Sequence, residues 1–333
     1  MKLNRFAVYA WGVLVYNLLV IMWGAYVRAT GSGAGCGQHW PLCNGAVVPR
    51  AEQVETMIEF SHRLSSGLAL IAVIVLLVWA FRAFPQGHPV RLGASFSMLL
   101  IIAEALVGAG LVLFELVADN ASIARAIAMA VHLMNTFLLL GALTLTAWWG
   151  SGGRPLRLRG QGAVVWVLGL GFVGMMILGA SGGVAALGDT LFPATSLADG
   201  IQEELSPTAH LLIRLRLLHP LIAVIVGVYL ILAGAICNTL HPDPLTKRMS
   251  RMLTVFYLVQ LGAGAVNVIL LAPVWLQMLH LLLSDLVWIT LVLLTSSVLA
   301  EPALVESWDV ALTKDDEEKE RSKVPPPAVE KPA

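Results

Sequence analysis

Eight apolar runs, each longer than 20 residues, constrain this chain more than any other feature. A helix needs roughly 20 residues to cross about 30 Å of hydrocarbon. Backbone groups in lipid must satisfy one another within the segment, so a run of that length is a helix. The runs lie at 6–27, 58–82, 92–114, 122–149, 162–184, 210–237, 250–271 and 274–299. Composition agrees, with only 13% charged residues against about 25% in a soluble domain. The expected fold class is all-α integral membrane, with eight transmembrane helices forming two pseudo-symmetric four-helix bundles. The first run is too long for the 7–15-residue apolar core of a signal peptide and reads as an uncleaved helix. Net charge is zero and no sustained basic stretch occurs before the C-terminal end, which excludes a nucleic-acid surface.

The charged residues give direction. With the N-terminus inside, fifteen of the 21 lysines and arginines fall in cytoplasmic segments, as the positive-inside rule requires. Both termini are then cytoplasmic. Beyond Ala300 the composition turns to Lys314–Arg321, a mixed-charge run, and Pro325-Pro326-Pro327, which reads as a disordered cytoplasmic tail over 301–333.

The chain also repeats itself. Val107-Gly108-Ala109-Gly110 in the third run answers Leu261-Gly262-Ala263-Gly264 in the seventh, an offset of 154. His62 answers His219 at 157, and Val131-His132-Leu133 answers Leu279-His280-Leu281 at 148. An even number of helices per half makes this a parallel repeat. The domains expected are a first half at 1–150 and a second at 151–300, followed by the tail.

Eight histidines fall into two groups. His39, His88, His210 and His241 lie in or beside loops and read as ordinary solvated residues, two of them preceding proline. His62, His132, His219 and His280 lie in the second, fourth, sixth and eighth runs, all in the outer half of the membrane. Intramembrane polar residues are costly and usually face a partner in the bundle interior. One such histidine can be a structural hydrogen-bonding residue. Four at similar depth, two per half, suit iron held between facing imidazoles inside a four-helix bundle. Zinc also accepts imidazole but wants three or four protein ligands together, and each half offers two.

Neighbouring residues add contrast. Glu59 stands three residues before His62, and Arg216 holds the matching place before His219. Thr56-Met57-Ile58-Glu59 also fits a helix capping box, which would make Glu59 a capping residue only. Arg216, Arg28, Arg63 and Arg214 are candidates to pair with carboxylates of a bound ligand, or they are interfacial arginines that reach to water. Cys36 and Cys43 lie in a glycine-rich outer loop, in a compartment where a disulfide persists. That bond is either a structural staple or a redox pair. Cys237, inside an apolar run, reads as a small core residue.

The run from Val27 to Gly45, with Arg28, Thr30 and the cysteine pair, followed by Ile58-Glu59-Phe60-Ser61-His62-Arg63, resembles the heme A synthase family. The likeness extends over all eight runs and leaves out the tail. It implies oxidation of one methyl group of heme O to the formyl group of heme A, with molecular oxygen, in cytochrome c oxidase assembly. It further implies a heme b cofactor between His219 and His280, with Arg216 nearby. The substrate heme would lie at His62 and His132, near Arg28 and Arg63, with Glu59 as the catalytic acid. The implied partners are heme O, oxygen, an electron donor, membrane lipid and heme O synthase.

Some relatives carry a second cysteine pair in the equivalent outer loop of the second half. Here that loop, Gly188 to His210, has none and holds Asp199, Glu203 and Glu204 instead. Two other functions share the four histidines: a bis-histidine electron-transfer cytochrome, and a heme transporter or chaperone. The first gives no reason for Glu59 beside His62 or for the cysteine loop; the second would be favoured by discontinuous mid-membrane helices, and the apolar runs show no clear mid-span break. The short N-terminus has no Arg- and Ser-rich presequence, so the expected location is a bacterial plasma membrane.

Overall fold

A computed structural model of the chain describes residues 4–50 and 53–300; the tail expected at 301–333 lies outside the described residues. Among the described residues ten α-helices form: α1 (Arg5–Ala29), α2 (Val54–Ala83), α3 (Pro89–Leu113), α4 (Ile123–Gly150), α5 (Val164–Leu191), α6 (Leu197–Leu205), α7 (Leu211–Arg216), α8 (Leu218–Leu240), α9 (Pro244–Ile269) and α10 (Val274–Val298). Eight spans among them are long and apolar enough to cross a membrane, with α7 and α8 together making the sixth. The chain is a multi-pass, all-α membrane protein.

The helix starts differ from the sequence reading in an informative way. α2 begins at Val54, four residues before the apolar run, with Gln53 rather than Thr56 at its N-cap. The capping-box reading of Glu59 is therefore corrected: Thr56 instead donates its hydroxyl to the Gly35 carbonyl. The sixth span breaks between Arg216 and Leu218. Pro220 causes this, because its ring has no N–H and collides with the carbonyl four residues back, that of Arg216. Leu217 keeps helical angles (φ −60°, ψ −31°), so the axis continues although the ladder is interrupted. His88 and His210 are more than loop punctuation: each caps a helix, accepting an N–H from Val90 and Leu212 respectively.

Helices α1 to α4 pack around one another, α2 on α1 and α3, and α4 on α3 and α1. Helices α5, α8, α9 and α10 do likewise, and α4 joins the two sets by packing on both α5 and α10. Phe137 of α4 stacks on Trp288 of α10 with ring centroids 4.9 Å apart at this junction. Many of the large apolar residues outside the junction face outward, Leu19, Leu68, Leu106 and Ile225 among them. That surface suits lipid, which is as apolar as leucine, so helix association rests on close packing and hydrogen bonds. Tyr9 of α1 donates to the Ala72 carbonyl of α2, and Tyr229 of α8 donates to the Val167 carbonyl of α5.

Two helix ends in the two sets close in the same way. After α3, Glu115 takes a left-handed conformation (φ 53°) and the Leu116 N–H closes on the Leu111 carbonyl. After α9, Leu271 does the same (φ 58°) and the Ala272 N–H closes on the Asn267 carbonyl. This is a Schellman-type stop, in which a left-handed residue lets the last carbonyls find donors. The equivalent atoms are 156 residues apart. At this offset Gly108 aligns with Gly264, two residues from the 154 of the Gly-Ala-Gly strings, and each of these two glycines faces a histidine.

Candidate functional site

The four intramembrane histidines share one packing arrangement. His62 of α2 lies against Gly24 of α1, where an added methyl carbon would meet its Cε1 at 2.8 Å. His219 of α8 lies against Gly182 of α5 at 3.0 Å, and His280 of α10 against Gly264 of α9 at 2.9 Å. His132 of α4 faces Gly108 of α3 more loosely, at 4.0 Å. Each ring thus rests on a glycine of a neighbouring helix, and at three of the four a side chain there would displace it. Small residues at helix crossings allow this approach.

His219 and His280 face each other with ring centroids 6.3 Å apart and planes at 85°. Two metal–nitrogen bonds of about 2 Å, plus about 1 Å from nitrogen to ring centre on each side, sum to roughly 6 Å. The centroid separation is therefore of the size that two imidazoles flanking one ion need. Ser181 lies 3.1 Å from His219 Nδ1, which leaves Nε2 for a ligand. The Nδ1 atoms of His62, His132 and His280 are buried without a hydrogen-bond partner among the described residues. Among those residues, too, no three histidine, cysteine or acidic side chains gather into a metal cluster.

The charged residues divide the two sites. Glu59 is 3% exposed. Its Oε2 accepts the Cys36 N–H at 2.8 Å, and its Oε1 pairs with Arg63. Arg63 also donates to the carbonyls of His39 and Leu42. One acid and one base thereby fasten the cysteine loop over the start of α2. The loop itself is closed by the Cys36–Cys43 disulfide. Gly35 lets it descend that far, because a methyl carbon there would fall 2.5 Å from the backbone of Glu55. Arg63 is engaged with this loop, and its assignment to the substrate heme rests on the family likeness.

Arg28 belongs spatially to the other side. Its guanidinium donates to the Ala186 carbonyl and Thr190 Oγ1 of α5, each at 2.6 Å, and to Gln277 Oε1 of α10 at 2.8 Å. The sequence placed it with the first half; its length carries it from the end of α1 across to α5 and α10. Arg216, 7% exposed, donates to Asp189 at 3.2 Å and to the Phe192 carbonyl at 3.1 Å, and its Nε lies 3.3 Å from Glu204. Burial raises the Glu204 carboxyl above its ordinary range, and Arg216 opposes that rise. The Nη2 of Arg216 is buried with no hydrogen-bond partner among the described residues. A buried guanidinium nitrogen of this kind has a place for one further carboxylate.

Three polar residues were not singled out from the sequence. Glu104 of α3 lies 3.4 Å from His132 Nδ1, and Gln260 of α9 lies 3.2 Å from His280 Nε2. Asp285 of α10 is fully buried, and neither of its oxygens has a hydrogen-bond partner among the described residues. Their signal was available, since an ionisable or amide side chain in the middle of an apolar run is costly and marks a site by default.

The chain is thus an all-α, multi-pass membrane bundle in which four intramembrane histidines face glycines of neighbouring helices and a disulfide loop covers the start of α2. A sequence profile of the COX15-CtaA family, described as cytochrome oxidase assembly protein, matches residues 7–292, and the chain belongs to that family. It is 57% identical over 300 residues to a protein of Thermus thermophilus named protoheme IX farnesyltransferase, covering 90% of this chain and 49% of that one. It is 42% identical over 115 residues to a heme A synthase of Lysinibacillus sphaericus (34% of this chain, 38% of that one). To a heme A synthase of Shouchella clausii it is 47% identical over 97 residues (29% and 32%). The chain thus spans about half the length of the Thermus relatives it matches.

Proposed function

We propose that this chain is a heme A synthase, which oxidises a methyl group of heme O to a formyl group with molecular oxygen. The observation that carries the reading is the pair His219–His280, spaced for one iron, in a family whose named relatives include heme A synthases. In the proposal His219 and His280 hold a resident heme b, with Arg216 and its unpartnered Nη2 receiving a propionate. His62 and His132 hold the substrate heme. Bound heme supplies one-electron chemistry and an iron that binds oxygen.

The protein's own contribution is placement and charge. The glycines at 24, 182 and 264 set how deep the imidazoles of His62, His219 and His280 sit. Glu59, three residues before His62 on α2, is the acid–base group of the first site, worth typically 10²–10⁴-fold when a proton must move. Its carboxylate is held by the Cys36 N–H and by Arg63, so the loop and the acid move together. Arg28 ties the first half to α5 and α10 and keeps the two sites in fixed relation.

A bacterial plasma membrane with both termini cytoplasmic is the proposed setting, with the disulfide loop on the outer side. The halves at 1–150 and 151–300 are the proposed domains. A protoheme IX farnesyltransferase is the proposed source of heme O, in keeping with Thermus relatives that carry that name over about twice this length. The test is expression with a heme O supply, followed by extraction and mass analysis of the porphyrin. Formyl-bearing heme A is expected. Heme O alone, under air with a competent reductant, would contradict the enzyme reading and leave an electron carrier.

A further inference from the structure

Glu104 sits in the middle of a transmembrane helix and is held in place from the neighbouring one. Asn135 Nδ2 donates to its Oε2 and Thr136 Oγ1 donates to its Oε1, both at 2.5 Å. These two residues follow His132 by three and four positions on α4, so the grip comes from the same helix face as the histidine. Oε1 is also the atom that lies 3.4 Å from His132 Nδ1. That is long for an N–H···O bond. Yet Nδ1 is buried and has no other partner among the described residues, and site hydrogen bonds commonly shorten once a ligand is in place.

The second half has the same position filled differently. At the offset of 156 between those helix ends, Glu104 corresponds to Gln260, which also lies beside its histidine. At the histidine offset of 148, Asn135 and Thr136 correspond to Leu283 and Ser284. The acid and its two clamps are therefore particular to the first half. They replace an amide whose carbonyl oxygen is itself unpartnered in the second, among the described residues.

We infer that Glu104 is the positioning residue for His132: it takes the Nδ1 proton as a hydrogen bond, fixes the tautomer that presents Nε2 to iron, and strengthens that nitrogen as a donor. A histidine bound to metal almost always gives its other N–H to such an acceptor, which raises its basicity. Donor strength shifts an iron centre toward its oxidised form. This gives the first site a stronger ligand than the second, where Gln260 offers no carboxylate. The inference rests on the proposed reading of the histidine pairs as iron ligands.

Glu104→Gln is the informative substitution. Its amide can still accept from Asn135 and donate to Thr136. In doing so it turns an N–H toward His132 Nδ1, the reverse of the native sense. The measurement uses the full chain with His219→Ala and His280→Ala, loaded with hemin, so that only the first site reports. Glu104→Gln is expected to weaken hemin binding by about tenfold or more, the usual size of such an outer-shell loss. Its midpoint should shift positive by about tenfold in the one-electron equilibrium, which is about 59 mV. Glu104→Asp should recover part of both.

Unchanged affinity and midpoint in Glu104→Gln would overturn the inference while leaving the histidine pairs intact. If the parent itself takes up no hemin, the ligand reading fails first and the inference falls with it. With His219 and His280 restored, retained heme at the second site in Glu104→Gln shows that the fold is intact and supports a local role. Loss of both hemes in Glu104→Gln and Glu104→Asp alike would assign Glu104 to folding instead.

Discussion

The two histidine pairs stand on nearly the same scaffold and differ in the side chains placed beside the rings, Glu104 next to His132 and Gln260 next to His280. Around His62 and His132 the polar neighbours are acids, Glu59 and Glu104, each held by donors: Cys36 N–H and Arg63 for one, Asn135 and Thr136 for the other. On the other side stand Ser181, Gln260 and the buried base Arg216, itself paired with Asp189 and Glu204. On the proposed reading, Arg216, whose Nη2 is left without a hydrogen-bond partner among the described residues, faces the resident cofactor. Glu59 and Glu104, on the same proposed reading, belong to the site where protons move. The difference teaches that the bundle supplies geometry, while two or three residues per half decide what the geometry is used for.

The largest effects should come from the histidines, and they should differ between halves. His280→Ala is expected to strip the resident heme from the purified protein, read as loss of its absorbance. His62→Ala should keep that heme and abolish heme A formation. Equal loss of resident heme in both variants would erase the division of labour. Next comes Glu59→Gln, expected to slow conversion by about 100-fold or more with resident heme unchanged; a normal rate would remove Glu59 from the chemistry.

Glycine substitutions should separate the pairs more finely. Gly264→Ala forces His280 to move, because the methyl would lie 2.9 Å from its ring, whereas Gly108→Ala leaves His132 in ordinary contact at 4.0 Å. The first should weaken heme retention measurably and the second should not, as read by hemin titration. A reversed order would mean that these contacts do not set ring position. The smallest effect belongs to the loop. Cys36→Ser with Cys43→Ser is expected to cost about 2–3 kcal/mol of stability by the loop-closure estimate. Thermal unfolding would show it, with the resident heme retained throughout.

The spans were legible because lipid leaves a backbone no alternative to a helix. Their ends were less so. Val54 to Met57 continue α2 into the polar margin, and Pro220 splits the sixth span without bending the hydropathy pattern. The four histidines were visible as costly residues at repeated depth. Glu104 and Gln260 carry the same kind of signal, and their offset of 156 lies among the 148, 154 and 157 of the other paired features. Arg28 could not have been placed from sequence at all. Its partners lie 158 to 249 residues away, and only the packing of α1 against α5 and α10 brings them to it.

Hemin reconstitution of the intact purified chain, followed through binding stoichiometry and low-temperature electron paramagnetic resonance, goes most directly to the paired-imidazole account. It predicts two hemes per chain with two distinguishable low-spin signals, one removed by His219→Ala and the other by His132→Ala. A protein that takes up no hemin, or one whose signals survive alanine at all four positions, would contradict it.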